Sequence, residues 1–304
     1  MKNQRQELQT SGIYLFISGK RGIGVVCSLV ELGYKIEKIF VPNDGTMDEN
    51  KRFSKVFNNE NIINICKDKL KNLNTFIDTK PLLFIVAGFP YIFPDKIINL
   101  PQYGTINLHS GRLPQYRGGS PMNWQMINGE KYAGISIIQM NSSIDTGDIL
   151  ESRLIEIKED YDIKDLHDIA DKIYPEMVIN VLKKIQKNSV NKIKQNSLKA
   201  SYWHQRKDSD GKIDFNKMSC VEVERFVKAL TKPYPGAWGK YKGKKLRIFK
   251  VEKIDINVKG SAGRICWIQG LGPIVVCSNR AIKLTEFRYD DGSIPRLMSG
   301  DFLE

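Results

Sequence analysis

A chain of 304 residues, 41% hydrophobic and 27% charged, has the balance of a soluble globular protein of about two domains. No apolar run reaches the ~18 residues that span a membrane, no signal-peptide core follows the polar start, and the five scattered cysteines contain no Cys-x-x-Cys pair. A membrane span, a secretory leader, a disulfide framework and a zinc site are therefore not expected, and the cytoplasm is the expected location. The net charge of +13 suits a nucleic acid or a phosphorylated substrate, or it reflects only the abundance of Lys along the whole chain.

Ile13 to Ser18 is a short apolar run, followed by Gly19-Lys20-Arg21-Gly22-Ile23-Gly24 and a helical stretch from Val25 to Leu32. This reads as strand, Gly-rich turn, helix. Such a turn can hold an anion with its backbone N–H groups, helped here by Lys20 and Arg21; a plain tight turn is the competing reading. Lys38 to Val41 predicts a second strand, and Lys51 to Asn58 a helix. Leu82 to Ala87 is continuously apolar, as a strand buried on both faces should be. Pro94 to Leu100 predicts a short helix, Thr105 to Leu108 a strand leading to His109, and Gly134 to Met140 a strand ending before the loop Asn141 to Asp145. Alternating strands and helices predict an α/β fold on an open sheet. Reactive groups in such sheets gather at the carboxyl ends of strands, where Asn107, His109 and the 141–145 loop are expected.

Asp162 to Lys187 has helical apolar spacing and closes the first domain, and 187–199 is a Lys/Asn-rich connector. After Ser201 the character changes. A helix over Val221 to Leu230 and alternating segments at Lys245 to Ile256, Arg264 to Ile268, Pro273 to Cys277 and Ile282 to Phe287 predict a small β-barrel or sandwich. The expected domains are 1–200 and 201–304. Cys27, Cys266 and Cys277 sit in apolar stretches and are expected to be buried. His167 reads as a surface helix residue. Neither it nor His204 has a second His or Cys at ligand spacing, so no metal is expected.

Asn107, His109 and Asp145 supply an amide donor, an imidazole and a carboxylate. When an amine attacks a formyl carbonyl, the oxygen gains negative charge, which an amide N–H can stabilise by about 3 kcal/mol. The ammonium must lose a proton and the leaving nitrogen must gain one; an imidazole held by a carboxylate can serve both steps. Spacing alone also allows a satisfied core histidine beside a turn asparagine, since Asn-x-His is short and common.

Three blocks in register decide between these readings: Ile106-Asn107-Leu108-His109, Leu113-Pro114-Gln115-Tyr116-Arg117-Gly118 and Ile144-Asp145-Thr146-Gly147-Asp148-Ile149. They resemble the core of the formyltransferases that use N10-formyltetrahydrofolate. The resemblance implies a Rossmann-like catalytic domain with an open, mostly parallel sheet, followed by a small C-terminal domain of a helix and an OB-like barrel. It implies that His109 transfers protons, that Asn107 stabilises the transition state and that Asp145 raises the basicity of His109. It places Tyr91, Ile92, Phe93, Gly119, Asn141, Ser142, Ser143 and Ile144 against the folate. It also implies N10-formyltetrahydrofolate as co-substrate, without a metal.

One departure concerns the loop His109-Ser110-Gly111-Arg112, where many family members read His-Pro-Ser-Leu. Arg112 can contact an anionic substrate there, or be a structural or exposed arginine. Tyr116-Arg117-Gly118-Gly119-Ser120-Pro121-Met122-Asn123-Trp124 resembles the branch that formylates amino sugars carried on nucleotides. The alternative acceptor is methionyl-tRNA, which the basic part after residue 200 would suit. A non-catalytic folate- or nucleotide-binding module is the third reading. A homodimer is expected, since two-fold assemblies are the commonest.

Overall fold

The computed structural model describes Leu8 and residues 12–43, 61–77 and 79–304; the helix expected over Lys51 to Asn58 lies outside these. Strand β1 (Ile13–Ile17) leads into helix α1 (Gly19–Glu31), then β2 (Ile36–Pro42), β3 (Ile62–Ile65), α2 (Lys67–Leu70), β4 (Leu83–Ala87), α3 (Asp95–Ile98) and β5 (Thr105–His109). The chain continues through β6 (Arg117–Gly118), α4 (Pro121–Ile127), β7 (Tyr132–Gln139), β8 (Ile149–Glu156) and α5 (Ile163–Gln186). It ends with β9 (Tyr202–Trp203), α6 (Cys220–Leu230), β10 (Ala237–Tyr241), β11 (Lys244–Lys253), β12 (Ile265–Ile268), β13 (Gly272–Val276) and β14 (Ala281–Tyr289). Two units are distinguished: residues 1–118, 134–155 and 168–202 make the first, and residues 119–133, 156–167 and 203–304 the second.

The first unit is an α/β sheet in the order β3-β2-β1-β4-β5-β7-β8. β1 and β4 are apolar and buried at every position because both faces of a parallel sheet are covered. β1 pairs in parallel with β2 and β4, and β4 with β5. Aromatic rings fill one side: Phe16 stacks on Phe40 at 4.6 Å between centroids and meets Phe84 and Phe93 edge-on. The parallel pattern breaks at β7, which runs antiparallel to β5, with Ile106 opposite Gln139 and His109 opposite Ser136.

The Gly-rich segment is not a loop. Helix α1 begins at Gly19, so Lys20, Arg21, Gly22 and Gly24 belong to its first turns. Burial of Val25, Val26 and Leu29 holds that helix in spite of its glycines. Its two cations meet carboxylates of α5: Arg21 Nε donates to Asp171 at 3.1 Å, and Lys20 Nζ lies 3.7 Å from Asp168. Arg21 also lies 4.8 Å over the ring of Tyr174. Two further strands of the seven-stranded sheet, β3 and β8, were not expected; β8 leaves four of its eight side chains exposed, which hides its apolar pattern.

The second unit carries an antiparallel sheet in the order β10-β11-β14-β13-β12. Helix α6 starts on a capping box, in which Ser219 Oγ accepts from the Glu222 N–H and Glu222 Oε2 from the Ser219 N–H. Its face of Val223, Phe226, Val227 and Leu230 packs into the core that the sheet lines. Residues 301–304 link the two outer strands: Glu304 N–H donates to the Lys240 carbonyl of β10, and the Ile265 N–H of β12 donates to the Asp301 carbonyl. The tail thus covers both sheet edges and gives the unit a barrel-like closure. All five cysteines are free, with Cys277 buried as expected and Cys27 and Cys266 only half-buried. Those two lie on α1 and on β12, the outer strand of its sheet. Burial pushes the Cys277 thiol up to about 12. No helix among the described residues is long and apolar enough to cross a membrane.

Asp208 supplies a pH test of this unit. Hydrogen bonds from the Arg247 guanidinium and then from Lys245 hold its carboxyl down at about 2. An unfolded Asp titrates near about 3.9. Its folded value is depressed, so its stabilisation is present above about pH 4 and is lost as pH falls through about 2. Asp208 is 41% exposed, which keeps the contribution below about 1 kcal/mol. The gap in melting temperature between wild type and Asp208→Asn is expected at about pH 5 and should close at about pH 2.

Candidate active site

β5 ends on Asn107 and His109, two residues apart and so on the same face of the sheet. Asn107 is half-buried, and its carboxamide makes no hydrogen bond with the described residues. An amide left unpaired on an otherwise paired strand is a donor available to a ligand.

His109 is 5% exposed and has a neighbour at each ring nitrogen. Nε2 lies 2.6 Å from the carbonyl oxygen of Tyr116. A carbonyl can only accept, so Nε2 carries a proton. Nδ1 faces Asp145 Oδ2 at 3.5 Å. Nδ1 is therefore the nitrogen that can gain or lose a proton while the Tyr116 bond is kept. At 3.5 Å the carboxylate is beyond a short N–H···O bond and acts on the ring through charge. The same Oδ2 accepts the Gly118 N–H at 2.9 Å, so the motif after His109 contributes its main chain as well.

Asp145 reaches this position by an indirect route. The 141–145 loop does follow a strand end, as expected, but β7 is antiparallel to β5 and delivers the chain beside the start of β5, not its end. The loop must double back to bring Asp145 to His109. Asp145 adopts φ +53, a left-handed conformation that Asp tolerates better than most residues. Asn141 Oδ1 braces the loop by accepting from Ser143 N–H at 3.2 Å and from Thr146 Oγ1 at 2.7 Å. Gly147 has no room for a side chain: a Cβ there would stand 1.6 Å from the carbonyl oxygen of Gln139.

The other sequence candidates are spread more widely. Phe93 is a core residue, 4% exposed, whereas Ile92 is 74% exposed and Tyr91 packs edge-on against Phe89 at 5.2 Å. The N–H groups of Ile92 and Phe93 have no hydrogen-bond partner among the described residues. Ser142, Ser143 and Ile144 are exposed, Ile144 at 55%. Gly119 lies in the second unit, where its N–H donates to the Trp203 carbonyl at 2.8 Å. Arg112 is half-buried and partnered, with its stem against Gly134. His167 is not simply a surface residue: it is half-buried, with Nε2 3.0 Å from the Tyr234 hydroxyl. His204 is exposed, 3.5 Å from Asp210. No group of three or more His, Cys, Asp or Glu that could hold a metal occurs among the described residues.

The Tyr116 carbonyl, the Gly118 N–H and Gln195 escaped the sequence reading. Gln195 Nε2 donates to the carbonyls of Asp145 at 2.8 Å and Gly147 at 2.7 Å. Main-chain groups have no sequence signal, and Gln195 stands in a polar connector where nothing marks it. Taken together, a free amide and a proton-carrying imidazole backed by a carboxylate can stabilise an oxyanion and move protons between nitrogens.

Residues 45–182 match the formyl transferase family, and residues 206–297 match the formyl transferase C-terminal domain. The methionyl-tRNA formyltransferase of Caldanaerobacter subterraneus subsp. tengcongensis is 34% identical over 223 residues, 73% of this chain and 69% of that protein. The bifunctional polymyxin resistance protein ArnA of Wigglesworthia glossinidia brevipalpis is 33% identical over 280 residues, 90% of this chain and 42% of that protein. Among solved structures, WlaRD, a sugar 3N-formyl transferase, matches 90% of this chain and 97% of its own, with a TM-score of 0.65 and 17% identity. HypX from Aquifex aeolicus matches 92% of this chain with the same TM-score and 17% identity, and this chain spans only 44% of it. At such identity these two structures establish the fold alone. With sequence relatives across both parts of the chain, the protein belongs to the formyl transferase family and is an N-formyltransferase.

Proposed function

We propose that this enzyme transfers the formyl group of N10-formyltetrahydrofolate to the primary amine of a nucleotide-linked amino sugar, in the cytoplasm and as a homodimer. The observation that carries the reading is His109, fixed through Nε2 to Tyr116 and facing Asp145 with Nδ1, two residues from the free carboxamide of Asn107.

The neutral amine attacks the formyl carbon and a C–N bond forms. Asn107 donates to the oxygen as it takes up negative charge. His109 takes the proton released by the new ammonium at Nδ1, and the Asp145 carboxylate stabilises the resulting imidazolium. The bond from carbon to N10 then breaks, and the proton passes from His109 to the departing N10. The unpaired N–H groups of Ile92 and Phe93, with exposed Ile92 and the 141–144 loop, suit the polar edge and flat face of the folate. In this reading residues 1–200 carry the chemistry and 201–304 form the accessory domain.

The sugar acceptor rests on the segment around Asn123 and Trp124. In the second unit Trp124 packs on Trp203 at 4.8 Å, and the Arg206 guanidinium lies 4.8 Å over the Trp124 ring. A cleft of about 190 Å³ lined by Ser120, Asn123, Arg206, Lys207 and Tyr234 adjoins this stack. Aromatic faces and guanidinium groups are what a base and a diphosphate need. Methionyl-tRNA is the second reading, favoured by the relative of that name. Incubation with formyl-folate and a panel of amino-sugar nucleotides and charged initiator tRNA, read by product mass, separates them. A mass gain of one formyl group on a sugar nucleotide is expected. Formylation of the tRNA alone would overturn the sugar acceptor. Folate binding without transfer to any amine would return the chain to a non-catalytic binding module.

A further inference from the structure

We infer that Gln195 is a positioning residue that holds the Asp145 loop in its working conformation. This rests on the reading of Asp145 as the partner of His109. Gln195 lies outside the Asn-x-His and Asp-x-Gly motifs, in a stretch whose neighbours 191–194 and 196–199 are exposed, and it alone there is half-buried.

Its orientation is determined by its three bonds. Arg117 Nε can only donate, and it donates to Gln195 Oε1 at 3.0 Å. The amide nitrogen must then face the other way. Its two hydrogens go to the carbonyls of Asp145, at 2.8 Å, and Gly147, at 2.7 Å. One side chain thus closes over the two ends of a three-residue turn whose first residue sits at φ +53. Both sides of the clamp are anchored. Arg117 is 3% exposed, and its guanidinium also donates to the Tyr202 hydroxyl at 2.9 Å. The Gln195 main chain is registered by Ile193, which exchanges two hydrogen bonds with Ile149 at 2.9 and 3.0 Å, just past the loop.

The loop needs such a hold. The β7 strand delivers it at the wrong end of β5, and Asp145 must be brought back to His109 in a backbone conformation that free Asp seldom adopts. Without the clamp, the carboxylate should leave the imidazole even though both residues are unchanged.

With only three histidines in the chain, the His109 ring can be followed directly by NMR, assigned by its absence in His109→Gln. Asp145→Ala should move the His109 Cε1–H resonance. Gln195→Ala should move it in the same direction, leaving His167 and His204 in place. Gln195→Glu guards against a folding defect: it keeps the side-chain size and the Arg117 contact but turns an oxygen toward two carbonyls, and should shift His109 likewise. Turnover in both Gln195 variants should fall on the order of 100-fold, the scale of a misplaced catalytic group. If Asp145→Ala moves the resonance and neither Gln195 variant does, the clamp is wrong while the pairing of His109 with Asp145 stands. If Asp145→Ala itself leaves the resonance unmoved, the pairing is wrong and the clamp falls with it.

Discussion

His109→Gln is expected to lose about 100- to 10,000-fold in turnover, the range that a positioned acid–base group supplies. Gln is chosen because its amide can keep an N–H donor near the Tyr116 carbonyl, the one hydrogen bond the native ring makes at 2.6 Å. What Gln lacks is a nitrogen that changes its protonation state, which is the property assigned to Nδ1. The substitution separates chemistry from architecture: the fold should persist, since the buried acceptor keeps its partner. His109→Ala should match it in turnover but also lose about 1–3 kcal/mol of stability, because it removes the buried hydrogen bond between the ring and the Tyr116 carbonyl. Single-turnover formyl transfer and denaturant melts measure the two effects. If His109→Gln kept near-normal turnover, proton transfer by this ring would be excluded, and Asn107 with the bound substrates would have to supply the rate.

Gly147→Ala is expected to be the most disruptive single-methyl change in the catalytic unit. Its Cβ would stand 1.6 Å from the Gln139 carbonyl oxygen, a backbone atom that cannot swing aside. The 145–147 turn must move, and with it the Asp145 carbonyl and the side chain facing His109. A displacement of about 1 Å at a catalytic group can cost 100-fold in rate. Overpacking of this kind costs about 1–3 kcal/mol of stability. Gly24→Ala is the control. A Cβ there would make only ordinary contacts at 3.5 Å in the middle of α1, so this change should stabilise by about 0.5–1 kcal/mol and leave turnover alone. Unchanged turnover in Gly147→Ala would mean that the loop can carry Asp145 in more than one conformation.

These expectations depend on different levels of the molecule. The reaction class was legible through the resemblance of three blocks to a family, which also implied roles for Asn107, His109 and Asp145; their residue types and spacing alone left a core histidine open. The strands of the parallel sheet were readable because burial on both faces makes them continuously apolar, as in β1 and β4. Strands with exposed faces were less legible. β8 and β10 were missed because charged and glycine residues interrupt their pattern, and Gly19 to Gly24 suggested a turn where burial of one helix face outweighs glycine's cost.

The sequence by itself determined which functional groups the protein owns and, through three blocks in register that resemble one family, the class of reaction they can serve; an amide, an imidazole and a carboxylate taken alone left another reading open. Only the tertiary structure decided how they meet. The antiparallel run of β7 sends the Asp145 loop away from His109, and its return depends on a left-handed Asp, a glycine without space for a methyl and two hydrogen bonds from Gln195. Strand direction and main-chain hydrogen bonds belong to no single residue type, and so they leave no mark in the one-dimensional order of side chains.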